Sequence, residues 1–291
     1  MARTHWTAGA GCATRAAMTI RSFPGGLPPQ TALLSGRAAL TASYCLVPRA
    51  SLSDITASAL PGWRGMRMWV LARPMTGLAE TFSHYLLDLA AGGGSDAPEA
   101  DGEAEGVLYV DGGDLALTVE GARHDLAAGG YAFLAPGAGW TVRSAGGARV
   151  HWYRKRWTPA PGVAPPAPFV TTEAAAAPVS MPDTNGRWAT RRFADPADLA
   201  HDMHVNVVRL EPGATIPLEE THVMEHSIHV LEGKAVYRLG SDWVEMERGD
   251  TAVLRAFCPQ ACYAGGPGPF RYLLYKDVNR HVPLAPMGGP R

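Results

Sequence analysis

The stretch HVLEGKAVYRLGSDWVEMERGDTAVLRAFCPQ, residues 229–260, decides the fold. Runs of four to seven residues rich in Val, Leu, Tyr and Trp are cut by glycines at 233, 240 and 249. That is the spacing of short strands and tight turns in an all-β sandwich or barrel. The same punctuation occurs upstream in YVDGGDLALTVEGARHDLAAGGYAFLAPGAGW, residues 109–140. A gap-free shift lays Gly113 on Gly233, Gly129 on Gly249, Ala132 on Ala252 and Leu134 on Leu254. A further strand follows each block, RVHWYRKRW at 149–157 and RYLLYKDVN at 271–279. The chain therefore reads as two copies of one β-domain.

Between the copies, TPAPGVAPPAPFVTTEAAAAPVSMPDTNG (158–186) is dense in Pro and Ala and reads as an extended linker. The expected organisation is an N-terminal extension over 1–35, a first barrel over 36–157, the linker over 158–186 and a second barrel over 187–291. GGGSDAPEADGEAEG (92–106) has no hydrophobic period and reads as a solvated acidic loop.

Composition narrows the function. The 291 residues carry 26 Lys and Arg against 27 Asp and Glu, a net charge of -1. No basic footprint for nucleic acid or for a membrane surface follows from that balance. No apolar run approaches the roughly 20 residues that span a bilayer. A soluble, cytoplasmic protein with a small-molecule partner is expected. Cys12, Cys45, Cys258 and Cys262 lack the dense spacing of a disulfide scaffold and read as free thiols. Residues 1–53 hold five Arg and no acid, a transit-peptide bias without an amphipathic pattern, and Met18 offers an alternative start.

The titratable groups gather just before the second block. EETHVMEHSIHVLEG, residues 219–233, sets three histidines among glutamates in a strand and its turn. Burying such groups unpaired costs on the order of a few kcal/mol each, so a metal ion is the natural partner. Glu220 and His222 share one strand face, His226 opens the next strand, and Gln260 closes the FCPQ turn. The repeat serves as a control, because the first copy has Ala100, Gly102, Gly106 and Trp140 at these positions. The fold does without the polar set, which points to function. Nitrogen and oxygen donors with no thiolate suit Mn(II) or Fe(II) better than structural zinc. By alternation Glu225 and His229 oppose His226 and are expected on a solvated face. Cys258 and Cys262 read as buried thiols outside the site.

The order Pro212-Gly213, Glu220, His222, His226, Gly233, then Gly249-Asp250 and Pro259-Gln260, resembles the two cupin motifs. With ETHVMEH, LEGKAVYRL, FCPQACYAGG and RYLLYKDVNRH, it resembles the bicupin (S)-ureidoglycine aminohydrolases from about Gly36 to His281. The resemblance implies two tandem cupin (jelly-roll) barrels and Mn2+ held in the second by Glu220, His222, His226 and Gln260. It implies hydrolysis of (S)-ureidoglycine to (S)-ureidoglycolate and ammonia, with Tyr237, Tyr272 and Lys276 contacting the substrate and Lys276 and Tyr272 as the catalytic candidates. Taken on their own residues, Tyr272 and Lys276 read as outward polar tips of a strand. Ser227 departs from the family's Gly and is expected to reshape the wall beside the metal. A homo-oligomer with a structural first barrel completes the expectation. Two alternatives share the fold, an Fe(II) cupin dioxygenase and a non-catalytic small-ligand-binding bicupin.

Overall fold

The computed structural model describes residues 36–74 and 81–277. The expectations for 1–35, Met18 and Cys12 lie outside the described residues. Apart from two short 3₁₀ turns, the regular structure is β. The strands run β1 (Ala39–Leu40), β2 (Tyr44–Val47), β3 (Trp63–Ala72), β4 (Phe82–Ser95), β5 (Ala104–Val119), β6 (Ala122–Ala127), β7 (Gly130–Leu134), β8 (Trp140–Arg143) and β9 (Ala148–Arg156). They continue with β10 (Phe169–Thr172), β11 (Pro178–Ser180), β12 (Trp188–Arg191), β13 (Met203–Leu210), β14 (Thr215–Glu220), β15 (His226–Glu232) and β16 (Lys234–Leu239). β17 (Asp242–Glu247), β18 (Thr251–Leu254), β19 (Gln260–Tyr263) and β20 (Phe270–Asp277) complete the chain. Among the described residues no helix is long and apolar enough to cross a membrane.

The repeat is visible in the pairing. Gly106 faces Leu134 in one copy and His226 faces Leu254 in the other. Both copies also carry a bulge at the same place, between Val110 and Gly112 and between Val230 and Glu232. Gly113 and Gly233 turn the chain with φ of 80° and 78°. A Cβ on either would sit 2.0 Å from a carbonyl oxygen, that of Gly147 or of Pro269, so only glycine fits.

Three large apolar cores and a smaller cluster of Trp69, Leu71 and Leu86 result among the described residues. Leu108, Leu117, Val142 and Trp152 are among the residues that fill the first barrel. Val208, Ile228, Leu254 and Phe270 help fill the second. A third core joins Phe82, Val107, Phe133 and Tyr153 to Val205, Leu231, Leu273 and Tyr275, with the Phe82 and Tyr275 rings stacked 4.0 Å apart. β20 explains its sequence this way: Phe270 and Tyr272 point into the barrel, while Leu273 and Tyr275 point at the other barrel. A strand buried on both faces reads as a near-continuous apolar run.

Two expected boundaries shift. β1 and β2 do not join the first barrel; β2 pairs with β18 in the second, Leu46 opposite Ala252. Conversely β10, inside the expected linker, pairs with β7 of the first barrel, Val170 opposite Ala132. The barrels thus exchange their leading strands. Pro and Ala fill the connecting segments, but FVTT supplies a β-branched edge strand within them. The stretch 92–106 is not a simple loop either. β4 runs to Ser95 and β5 begins at Ala104, because glycines at 92 and 94 with positive φ carry the bent strand end.

Candidate metal and substrate site

Alternation on three neighbouring strands builds one end of the second barrel. On β15 His226, Ile228 and Val230 face inward; on β20 Phe270, Tyr272 and Lys276 share that face. His226 lies opposite Lys276 across the ladder. From the facing sheet, Glu220 on β14 lies opposite Gln260 on β19. His222 sits between β14 and β15, its carbonyl accepting the Phe257 N–H at 2.8 Å. Phe257 holds φ of 63° where the first copy has Gly137 at 74°. A left-handed phenylalanine costs roughly 1–2 kcal/mol, and that amide is what fixes the His222 backbone.

The donors converge closely. His222 Nε2 lies 3.2 Å from His226 Nε2 and 3.0 Å from the Gln260 amide nitrogen. His226 Nδ1 donates to the Tyr275 carbonyl at 3.1 Å, which leaves its Nε2 as a lone pair aimed inward. His222 Nε2 cannot at once donate to His226 Nε2 and accept from the Gln260 amide. A divalent cation would resolve the conflict, since it would take a lone pair from each imidazole. The amide needs only to present its oxygen, an orientation that X-ray maps at ordinary resolution also leave to inference. The donor set therefore fits a divalent ion. Glu220 stands beside the cluster: its carboxyl is half-buried, burial raises its pKa, and it has no ion-pair partner among the described residues. Among those residues no three His, Cys, Asp or Glu side chains close to ligand spacing, so the observed convergence is two imidazoles and an amide.

Electrostatics favour neutral imidazoles here. Burial, with His222 beside it, lowers His226 to about 3, and burial and Lys276 lower His222. Burial and Arg192 lower Lys276 as well. Tyr272 is buried rather than an outward tip, 3% exposed, and Tyr237 is 0% exposed, with ring centres 6.2 Å apart. Burial raises both phenols far above neutrality, so they can donate a hydrogen bond but not act as bases. The Tyr237 hydroxyl is buried beside Tyr272 and Cys262.

Other expectations change with the second body in view. Glu225 and His229 are buried, 5% and 4% exposed, because their strand face meets the first barrel rather than water. Glu225 accepts from the Thr81 backbone and hydroxyl at 3.1 and 2.7 Å. Ser227 also faces away from the metal pocket, bonding His84 Nδ1 at 2.8 Å. Cys258 and Cys262 are buried and free, and Cys45 is free as well. Sequence reading did not single out His204, which lies beyond Lys276 on β13, directly opposite it in register. The signal lay in the alternation of MHVNVVRL.

In the first barrel the equivalent positions line a cavity of about 180 Å³ bounded by Ala100, Gly102, Gly106, Trp140 and Trp152. Trp63, Trp140 and Trp152 cluster there with ring centres 5.6–6.5 Å apart, apolar bulk where the second barrel keeps its donors.

Two tandem barrels, one donor-bearing and one lined with tryptophan, define a bicupin whose candidate metal site lies in the second barrel. The Cupin domain family matches residues 206–275, which span that centre. The (S)-ureidoglycine aminohydrolase of Escherichia coli strain K12 is 30% identical over 228 residues, 77% of this chain and 85% of the relative. The chain belongs to the (S)-ureidoglycine aminohydrolase family, a family of enzymes. A glyoxylate-induced protein of Pseudomonas aeruginosa shares 57% identity at a TM-score of 0.83, over 88% of this chain and 95% of its own. Bacillus subtilis oxalate decarboxylase shares the fold alone, at 12% identity and a TM-score of 0.60 over 84% and 80% of the two chains.

Proposed function

We propose that the second barrel hydrolyses (S)-ureidoglycine to (S)-ureidoglycolate and ammonia, a step of ureide degradation, with Mn(II) held by Glu220, His222, His226 and Gln260. The observation that carries this reading is the convergence of two neutral imidazoles and an amide beside Lys276. Family membership supports the substrate. When bound, the divalent ion supplies a positive charge that draws and polarises an anionic substrate.

The chain's own groups take the remaining roles. Lys276 faces the ligand strand with no ion-pair partner among the described residues, and it neutralises the substrate carboxylate. Tyr272, whose phenol keeps its proton, donates a hydrogen bond that orients the substrate, and Glu220 lies near enough to bias that phenol. In the reaction the bond from carbon to the amino nitrogen breaks, a hydroxyl from water takes its place, and the nitrogen leaves as ammonia. Holding the substrate at both ends converts this into a positioned reaction.

The test is ammonia release from freshly generated ureidoglycine by chelated protein and by protein restored with Mn(II), with the chirality of the product followed. Metal-dependent release giving the S product is expected. Release only at the spontaneous rate in both samples refutes the substrate. Oxygen uptake with Fe(II) would instead favour a dioxygenase, a reading that the amide in place of a last histidine disfavours.

A further inference from the structure

β13 alternates between two environments. Met203, Val205 and Val207 belong to the core between the barrels, while Val208 and Leu210 belong to the core within the second barrel. His204 and Asn206 therefore face inward with the latter pair. Register puts His204 opposite Lys276, and Lys276 opposite His226, so these three form one rung across β13, β20 and β15. Ile228, Leu274 and Asn206 form the next rung, and Val230, Tyr272 and Val208 the one beyond.

His204 is 4% exposed, and its Nε2 is buried without a hydrogen-bond partner among the described residues. Its nearest aromatic neighbour, His201, lies 6.0 Å away ring to ring. Buried polar atoms are almost always paired, so an orphan on the inward face of this rung calls for an occupant. The repeat again supplies a control. The matching rung of the first barrel is Gly106, Arg154 and Ser83. There the cation is already satisfied, for Arg154 bonds Glu99 and lies 5.3 Å from the Trp152 ring. In the second barrel Lys276 has no such counter-ion among the described residues, and the serine is replaced by an imidazole. Burial, and Lys276 close by, lower His204 to about 4, so the ring is neutral and carries one N–H at neutral pH. A cation without a counter-ion beside a neutral donor without an acceptor matches an anionic group with two acceptor oxygens.

We propose that His204 is a substrate-binding residue that sets specificity: its imidazole N–H hydrogen-bonds the carboxylate that Lys276 neutralises, so the pocket selects ureido compounds bearing a carboxylate. This rests on the reading of the second barrel as acting on ureidoglycine. It extends the site one strand away from the metal ligands and assigns the end of β13 that no ligand occupies.

The test compares N-carbamoylglycine with N-methylurea, the same molecule without its carboxylate, by titration calorimetry on the full chain loaded with Mn(II). His204→Phe keeps the ring volume and removes the donor, while His204→Gln keeps a donor. His204→Phe is expected to weaken N-carbamoylglycine by about tenfold or more, the effect of losing a hydrogen bond to a charged group, and to leave N-methylurea unchanged. His204→Gln should retain most of the affinity for the acid, and on ureidoglycine the Phe variant should raise KM far more than it lowers kcat. Equal weakening of both ligands, an unchanged affinity for the acid, or loss of manganese from the Phe variant would overturn the assignment. If wild-type protein releases ammonia but the Phe variant matches it in KM, this inference fails alone. If wild-type protein neither binds the acid nor releases ammonia above the spontaneous rate, the functional reading fails and takes this inference with it.

Discussion

His226 makes a different contact with each of its two nitrogens. Nδ1 gives its proton to the Tyr275 carbonyl, and Nε2 turns a lone pair toward His222. His226→Ala removes a proposed direct ligand, so metal affinity should drop beyond the roughly 10–100-fold typical of losing an outer partner. Metal content by atomic absorption and ammonia release should fall together, with the circular dichroism spectrum retained, because the first barrel folds with Gly106 at this position. Glu220→Ala should behave alike, and unfolding of both variants would show the ligands to be structural. The reverse graft should fail: a Cβ at Gly106 would stand 3.0 Å from the Trp152 indole nitrogen. Gly106→His should lower the thermal midpoint and bind no manganese. The two converging imidazoles were legible in the sequence because His222 and His226 are local, although His222 lies in the connection between β14 and β15 and not on a strand face shared with Glu220. Glu225, His229 and Ser227 were not, since alternation says which face a residue takes but not what covers that face.

At the scale of elements, the exchanged strands matter most. Leu46 is 2% exposed and belongs to the core of the second barrel, although it precedes the whole of the first in the chain. Leu46→Ala should cost about 2–5 kcal/mol, read as a lowered urea midpoint, and should loosen β18, which in turn pairs with the ligand-bearing β15. An unchanged midpoint would mean that β2 contributes no packing. The segment is also tied electrostatically, since the Asp250 carboxylate, 0% exposed, accepts from Arg37 at 2.5 Å and from the Arg49 amide at 2.8 Å. The repeat itself was readable from glycine spacing, which local turn geometry enforces. The exchange was not, because edge pairing between distant strands leaves no period in either sequence; β2 and β10 are each four residues long.

At the scale of the whole molecule, a histidine cluster sits where the barrels meet. Ser227 bonds His84, His84 Nε2 lies 3.0 Å from His151 Nδ1, the rings of His151 and His229 lie 4.2 Å apart, and His229 shares a hydrogen bond with Thr251 at 2.8 Å. Burial lowers all three histidines, His151 to about 3 and the other two well below their ordinary value. The unfolded chain therefore takes up protons below pH 6.5 that the native state refuses, so stability is full above that pH and falls as pH drops toward 3. Each histidine can contribute up to about 1.4 kcal/mol per pH unit in that window. The urea midpoint of chelated protein should fall steadily from pH 6.5 to 5, and His151→Phe should flatten the slope. A midpoint independent of pH would mean that the cluster is charged in the native state.

The strand exchange also orders events in time. Val47 must wait for Thr251, about two hundred residues later in the chain, before it finds its partner. At ribosomal speeds of ~5–20 residues per second that is roughly 10–40 s. During that interval the first barrel can close around β10, while β2 waits with one edge open to a crowded cell. β2, among the earliest described strands to leave the ribosome, is thus among the last to be sheltered, and a nascent chain cut short before β18 would leave it with only the two-residue β1 beside it.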